Sequence, residues 1–533
     1  MGKRVAIIGA GPSGLPAIRH ALLYGCEPVC FEATDKIGGL WNYKPTNVEE
    51  ASVMKSTVIN SSKEMTAYSD FPPKPESANY MHNRKLLEYF CDYAKHFGLD
   101  KHVRFSHKVV DITRTENHEK DGTWLVEFKD QCGNIGTEVF DGVLVCTGHH
   151  AKPQWPDRWP GQDIFKGKIL HSHDYKEPKG FDDQVIVAVG IGNSGVDVAV
   201  ELSHVASQVY LSTRRGSWIC SRLYDNGSPV DTCTNTRFNM ATMFKLPRSL
   251  RSRFFEAKLN KKFDHAKYGL KPKHDVFGAH LTTNDDIPMR IAAGTIIVKP
   301  NIASFTETDV KFTDGTVVRN VDAVICSTGY EIGFPIVEGG DFIQVRNNDV
   351  DLYKFMYPLN RNQNTLAVLG LVQPLGSIMP IAEMQARVFF AALTGEARLP
   401  SKEEMKLDVS QKKAAMREQY YGSPRHTLQC TYFDMMDEMA SILGCKPDFW
   451  TTFLQDPALA FRQTFGPCAP YVYRLNGPHK WEGAREAVMG IPQRIQSGFN
   501  QGAFKSTADC QTCAVQSLFS YIVVLVVLAY FIF

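Results

Sequence analysis

With 59 Lys and Arg against 57 Asp and Glu, the 533-residue chain has almost no charge of one sign, +2 net. It lacks the broad basic field with which proteins bind along nucleic-acid phosphates, so no nucleic-acid partner is expected. It also lacks a disulfide framework. Its thirteen cysteines are an odd number, spread singly as at Cys91, Cys146 and Cys326, which implies reduced thiols in a reducing compartment. The one close pair, Cys510-x-x-Cys513, has no second pair to complete a zinc site, and no metal is expected. It reads as two free thiols open to palmitoylation. No secretory signal opens the chain, because Met1-Gly-Lys-Arg leads only into a short apolar run, Val5–Ile8, and then glycines; Ala6 breaks the myristoylation pattern.

Long apolar runs are absent apart from one. Ser517–Phe533 is uncharged and dominated by Val, Leu, Ile, Phe and Tyr. As a helix its 17 residues reach roughly 25 Å, near the ~27 Å hydrocarbon of the endoplasmic reticulum membrane. A membrane anchor is expected over 514–533, with everything before it cytosolic and the sequon Asn60-Ser61-Ser62 unglycosylated. The remaining composition, 44% hydrophobic and 22% charged, is that of folded domains, and the length allows two or three cores.

Two glycine motifs organise what is there. Gly9-x-Gly11-x-x-Gly14 follows the strand Val5–Ile8 and opens a helix from about Pro12 to Leu23. In that context the glycines give a tight turn, close approach to a pyrophosphate and close helix–strand contact, and the helix N-terminus attracts the phosphate charge. Pro16 is expected to remove one helical hydrogen bond. A second strand, Pro28–Phe31, ends in Glu32, placed to bind both hydroxyls of an unmodified adenosine ribose. The arrangement recurs as strand Val185–Val189, Gly190-x-Gly192-x-x-Gly195, a helix to about His204 and strand Gln208–Ser212. There Thr213, Arg214 and Arg215 occupy the slot of Glu32, a charge inversion that favours a ribose 2′-phosphate. FAD in the first site and NADPH in the second are the expected cofactors.

Val139–Gly148 echoes Asn320–Gly329, each read as a late parallel strand ending in a Thr-Gly turn, and each preceded by a hairpin, Trp124–Lys129 onward and Asp309–Val318. The fold class is therefore α/β, with two Rossmann-like dinucleotide-binding domains, the NADPH domain inserted in the FAD domain, and a C-terminal transmembrane helix. The expected boundaries are 1–165 and 331–445 for the FAD domain, 166–330 for the NADPH domain with a helical insertion at about 216–295, 446–513 leading to the membrane, and 514–533 as anchor. Two facing dinucleotides imply hydride transfer. A disulfide reductase is disfavoured, since Cys26 and Cys30 are the only candidate pair in the first domain and lie on a helix end and a strand.

Between the two motifs stands Phe165-x-Gly167-x-x-x-His171-x-x-x-Tyr175-Lys176. With it the chain resembles the class B flavoprotein monooxygenases, and its Tyr-Lys ending is similar to the flavin-containing monooxygenase branch. Further matches are Ile37-Gly-Gly-Leu-Trp41, Asn60-Ser-Ser-Lys-Glu-Met65, Met81-His-Asn83, Cys146-Thr-Gly-His-His150, Asp285-Asp-Ile-Pro288, Ser327-Thr-Gly-Tyr330, Gln373-Pro-Leu-Gly376 and Gly466-Pro-Cys468. His479 departs from the family's usual Gly, and Ser327 from its frequent Ala.

The resemblance, with the apolar tail, implies an animal microsomal type of the endoplasmic reticulum. It implies a C4a-hydroperoxyflavin that oxygenates soft nitrogen and sulfur nucleophiles, with small lipophilic substrates and O2 as partners; a homodimer is compatible with it. Asn60 and Asn193 are the implied catalytic residues, an amide being able to donate and to accept. The implied cofactor contacts are Gly9, Gly11, Pro12, Ser13, Gly14, Glu32, Gly39, Leu40, Trp41, Asn60, Ser61, His82 and Asn83 on the flavin side. On the nicotinamide side they are Gly190, Gly192, Asn193, Ser194, Gly195, Thr213, Arg214, Arg215, Thr328, Gly329, Tyr330 and Gln373. His171 reads as a structural link between domains, and the basic, aromatic insertion, helical over Leu250–Phe263, as a cover for a substrate tunnel. Baeyer–Villiger oxidation of ketones, an NADPH oxidase releasing hydrogen peroxide, and a membrane-tethered redox sensor remain the alternatives.

Overall fold

The two apolar runs that precede the glycine turns each become the central strand of a five-stranded parallel sheet. The computed structural model describes residues 2–46, 49–359 and 363–499. The first sheet runs in the order Leu366–Val368, Gly142–Val145, Arg4–Ile8, Glu27–Phe31, Val103–Arg104. The second runs Ile296–Lys299, Gln208–Ser212, Val185–Val189, Ala323–Cys326, Lys168–His171. Every neighbouring pair in both sheets is parallel. All five strands of the second sheet lie in the chain before the last strand of the first, which is how an inserted unit is threaded.

Parallel sheets need cover on both faces, and that explains why these strands are apolar at nearly every position. In the first unit Val5, Ile7 and Leu144 face the helices Gly14–Leu23 and Met379–Leu393. The alternate residues Ala6, Ile8 and Val145 face Trp124, Val126 and Phe128 of an antiparallel sheet formed by Lys108–Arg114, Trp124–Lys129 and Ile135–Phe140. The second unit repeats the layers. Ile186 and Ala188 meet Val196 and Ala199 of helix Asn193–Leu202, while Val187 and Val189 meet Phe305, Val310 and Phe312 of a smaller antiparallel sheet.

Helix Met379–Leu393 is almost wholly buried, including Glu383, Gln385 and Arg387. Buried polar groups need partners: Glu383 accepts from Ser69 N–H and hydroxyl at 2.8 and 2.6 Å, Gln385 accepts from Gly370 N–H at 2.9 Å, and Arg387 donates to the Tyr473 carbonyl at 3.1 Å.

Several local expectations shift. The first helix begins at Gly14 rather than Pro12, which makes Pro16 its third residue. N–H groups there have no intrahelical acceptor in any helix, so Pro16 removes no bond. The second helix stops at Leu202, before His204. In the insertion the long helix spans Arg248–Lys262, beside Val230–Thr234, Arg237–Met243 and Ile287–Ala292. The expected anchor at 514–533 and the pair Cys510 and Cys513 lie outside the described residues. Among the described residues no helix is long and apolar enough to cross a membrane.

Candidate active site

The two glycine turns are built alike. Gly9 N–H donates to Phe31 O at 2.8 Å and Gly190 N–H to Ser212 O at 3.0 Å, with φ of +105° and +109°, a region open to glycine at little cost. A Cβ at Gly9 would meet the Cys146 carbonyl at 2.8 Å, and one at Gly190 the Ser327 carbonyl at 2.5 Å. The third glycines are tighter. A Cβ on Gly14 would lie 1.9 Å from Gly9 O, and one on Gly195 2.1 Å from Gly190 O, so helix and turn touch backbone to backbone. Gly11 differs: its Cβ would meet protein only at 3.6 Å. Its smallness keeps open the space toward a ligand, as a pyrophosphate cradle requires.

Strand register corrects the expected charge inversion. Ile8 pairs with Phe31 and Val189 with Ser212, and the next residues, Glu32 and Thr213, both donate N–H to the neighbouring strand, at Arg104 O and Lys299 O. Thr213 therefore holds the position of Glu32, and Arg214 stands one residue beyond it. Glu32 is buried, and its carboxylate accepts from Ala10 N–H at 2.8 Å and from Thr34 N–H and hydroxyl at 2.9 and 2.8 Å. A carboxylate offers about four acceptor positions, so one remains for a ribose hydroxyl.

One cavity of about 3520 Å³ joins the turns, lined by Gly9, Gly11, Pro12 and Ser13 on one side and Gly192, Asn193, Ser194 and Gly195 on the other. Asn60 and Asn193 both line it. Arg222 Nη2 donates to Asn60 Oδ1 at 2.7 Å, and Thr283 N–H donates to Asn193 Oδ1 at 2.8 Å. Because both partners can only donate, the orientation of each amide is settled, and among the described residues neither Nδ2 has a hydrogen-bond acceptor. The expectation that these amides donate and accept is thus narrowed to donation. Arg222 is itself held by Asp285, at 3.2 Å from Nη1.

Several histidines on its walls are held neutral. Burial pushes the His149 imidazole well below its usual range, with His150 adding to the effect, and takes His150 itself to about 4. Both therefore stand neutral. Burial raises the Asp197 and Asp231 carboxyls to about 6, against hydrogen bonds from Asn284 and from Ser62 respectively. His280 lines the cavity, its Nδ1 3.2 Å from Gln429 Oε1, and burial brings it to about 4.

Glu32, Gly39, Leu40, Trp41, Ser61, Gly329, Tyr330 and Gln373 also line this space. Other expected contacts do not. Gly14 and Gly190 sit behind their turns; Thr328 donates to Gln154 O at 2.5 Å; Thr213 accepts from Gly216 N–H at 3.0 Å; Arg215 lies over the Tyr421 ring at 4.4 Å; and Arg214 is exposed at the strand end. His82 and Asn83 are a correction. His82 Nδ1 accepts from Arg84 N–H at the start of helix Asn83–Phe97, and Asn83 Nδ2 donates to Met54 O and Lys55 O at 3.1 and 3.0 Å. They brace from behind the 54–57 segment, whose Met54 and Thr57 line the cavity. The fingerprint His171 is buried at the domain crossing, its Nδ1 accepting from His173 N–H at 3.1 Å, while Tyr175 donates to Glu201 and Lys176 to His173 O.

Residues that sequence reasoning missed are Arg222, Thr283 and Arg425. Their contacts come from the insertion and from a distant turn, with no fixed spacing to the motifs.

Comparison with known proteins agrees with this architecture. The flavin-binding monooxygenase-like family model matches residues 2–533. Flavin-containing monooxygenase 5 of Oryctolagus cuniculus is 46% identical over 498 residues, 93% of each chain. Dimethylaniline monooxygenase [N-oxide-forming] 2 of Pan troglodytes is 42% identical over 512 residues, 96% of this chain and 95% of that one. In structure, the S-allyl-L-cysteine S-oxygenase of Allium sativum superposes with a TM-score of 0.64 at 24% identity, covering 92% of this chain and 99% of its own. With a whole-length family match and relatives at 42–46% identity, the chain belongs to the flavin-binding monooxygenase-like family, as an NADPH- and O2-dependent flavin monooxygenase that uses FAD.

Proposed function

We propose that the enzyme oxygenates soft nitrogen and sulfur nucleophiles of small lipophilic molecules at the endoplasmic reticulum membrane, its catalytic units facing the cytosol. The carrying observation is the pair of asparagines on one cavity between the two glycine turns, each with its carbonyl end occupied and, among the described residues, its Nδ2 without an acceptor. FAD would be held by the Gly9–Gly14 turn, by Glu32 at the ribose and by Gly39, Leu40 and Trp41. NADPH would be held by the Gly190–Gly195 turn and by Arg214. FAD, once reduced by NADPH, supplies the activation of dioxygen.

The chain's own part is binding, orientation and exclusion of water. Asn60 donates a hydrogen bond where negative charge develops on oxygen, and Arg222 fixes it in that orientation. Asn193 donates toward the nicotinamide side. Phe238, Met243, Phe254, Phe255 and Phe461 provide apolar wall for a lipophilic substrate. A soft nucleophile needs no proton removed before it reacts, in keeping with neutral histidines around the cavity. The N-oxide-forming relative supports nitrogen as one target.

Membrane contact is supported by Trp450 and Leu454, 69% and 84% exposed on helix Phe449–Gln455. Exposed apolar clusters of this kind mark interaction surfaces. Within this reading the FAD unit comprises 1–165 and 331–445, and the NADPH unit 166–330.

The test supplies the FAD-loaded enzyme with NADPH, O2 and an amine, a thioether or a ketone. N-oxide and S-oxide are expected in step with NADPH consumed; ester from the ketone, or hydrogen peroxide alone, would overturn the proposal. Asn60→Leu should keep anaerobic flavin reduction near the wild-type rate yet lower product per NADPH at least tenfold, a developing-charge hydrogen bond being worth about 2–4 kcal/mol. Normal coupling in that variant would remove Asn60 from the mechanism.

A further inference from the structure

The turn Pro424–His426 belongs by its anchoring to the FAD unit. It runs into strand Gln429–Thr431, which pairs with Gln373–Leu375, and Thr427 donates to Asn348 O at 2.6 Å. Yet its Arg425 crosses to the other unit. Arg425 Nη2 lies 2.6 Å from where a Cβ on Gly192 would stand, so the guanidinium rests directly on the second glycine turn, at the start of the ten-residue helix Asn193–Leu202. Arg425 lines the joint cavity beside Gly192, Asn193 and Ser194.

That position is electrostatically incomplete. Among the described residues Arg425 forms no ion pair and its guanidinium makes no hydrogen bond. Arg425 is exposed, and it lines the joint cavity. Partial loss of solvent among the cavity walls lowers its pKa, Tyr421 opposes this, and the neighbouring Arg214 adds to it. The helix end beneath it is also positive. A guanidinium set next to a second arginine and a helix N-terminus favours an anion between them, and its planar fork is suited to phosphate oxygens. Arg215, the third cation, is occupied on the Tyr421 ring, which leaves Arg214 and Arg425 for phosphate.

We propose that Arg425 binds the pyrophosphate of NADPH from across the domain boundary, so that the dinucleotide ties the FAD unit to the NADPH unit. The assignment rests on the second site being the NADPH site. Gly192 is the position at which the pyrophosphate approaches the backbone, and Arg425 is the cation on it. Arg214, past the strand end, is left to the 2′-phosphate. The two arginines thus divide the phosphates: Arg425 binds what NADPH and NADH share, and Arg214 what distinguishes them.

The experiment titrates the full-length, FAD-loaded protein with NADP+ and with NAD+ by calorimetry, for wild type, Arg425→Ala and Arg425→Lys. Loss of one charge-assisted contact weakens binding roughly tenfold to a hundredfold. Arg425→Ala should weaken both ligands by that factor and leave their ratio unchanged, Arg425→Lys should recover part of the loss, and flavin content should stay that of wild type. Wild-type affinity in Arg425→Ala would overturn the proposal. So would a loss confined to NADP+, which would make Arg425 a 2′-phosphate reader, or a loss of flavin in both variants, which would make it structural. A wild-type enzyme that binds NADP+ tightly but oxygenates no nucleophile refutes the proposed function and leaves this inference standing.

Discussion

The first glycine turn is completed within its own unit, whereas the second borrows from its neighbour. At the first, Glu32 already accepts Ala10 N–H across the turn, so its carboxylate is oriented before any ligand binds. At the second, Thr213 takes the equivalent position, Arg214 is exposed beyond it, and the cation on the turn, Arg425, comes from the other unit. The same backbone geometry thus serves two purposes. A site whose polar partners are preorganised in one rigid unit suits a cofactor that stays; a site assembled from two units suits one that is exchanged.

The strongest way to break this comparison is to add a methyl group to the third glycine of each turn. Gly14→Ala and Gly195→Ala place Cβ 1.9 and 2.1 Å from a backbone oxygen, and each should cost more than about 4 kcal/mol. Gly14→Ala should yield protein without flavin, and Gly195→Ala a yellow protein that no longer binds NADP+; absorbance spectra and thermal melts distinguish them. Flavin loss in both would show that the units do not hold their dinucleotides independently.

A smaller effect sharpens the charge contrast. Arg214→Glu should raise KM for NADPH roughly tenfold to a hundredfold more than for NADH. Equal changes in steady-state assays with both cofactors would show that Arg214 does not read the 2′-phosphate.

The smallest concerns the helices themselves. Counted from the third glycine, Asp197 stands where the first helix has Pro16, and burial lifts its carboxyl from 3.8 to about 6. The folded state therefore holds more protons than the unfolded one between those values. Stability falls as pH rises through that window, and the cost is complete above pH 6. Asp197→Asn does not titrate and keeps an oxygen for Asn284, so it should be more stable than wild type by on the order of 1 kcal/mol above pH 6. The advantage should vanish toward pH 4 in denaturant melts; a constant difference across pH would mean that Asp197 is ionised throughout.

Much of the architecture was legible because it is local. A strand, three glycines at fixed offsets and a helix announce each turn, and alternation along Trp124–Lys129 announces the covering sheet. The one-residue offset of Arg214 relative to Glu32 escaped counting, since 23 and 24 residues from the glycine look alike until strand register is known. His82 and Asn83 were legible as important and illegible in role: Asn83 spends its donors on Met54 O and Lys55 O, behind the cavity wall.

What the chain's sequence determined by itself was the pair of dinucleotide turns, their order and the family, because backbone conformation and close contact at glycine depend on residues a few positions apart. Tertiary structure alone decided which end of each asparagine faces the cavity and which cations face the phosphates. Arg222 reaches Asn60 across 162 residues, and Arg425 reaches Gly192 from a turn in the other unit. No local periodicity encodes such meetings, because they depend on how the two sheets are set against each other.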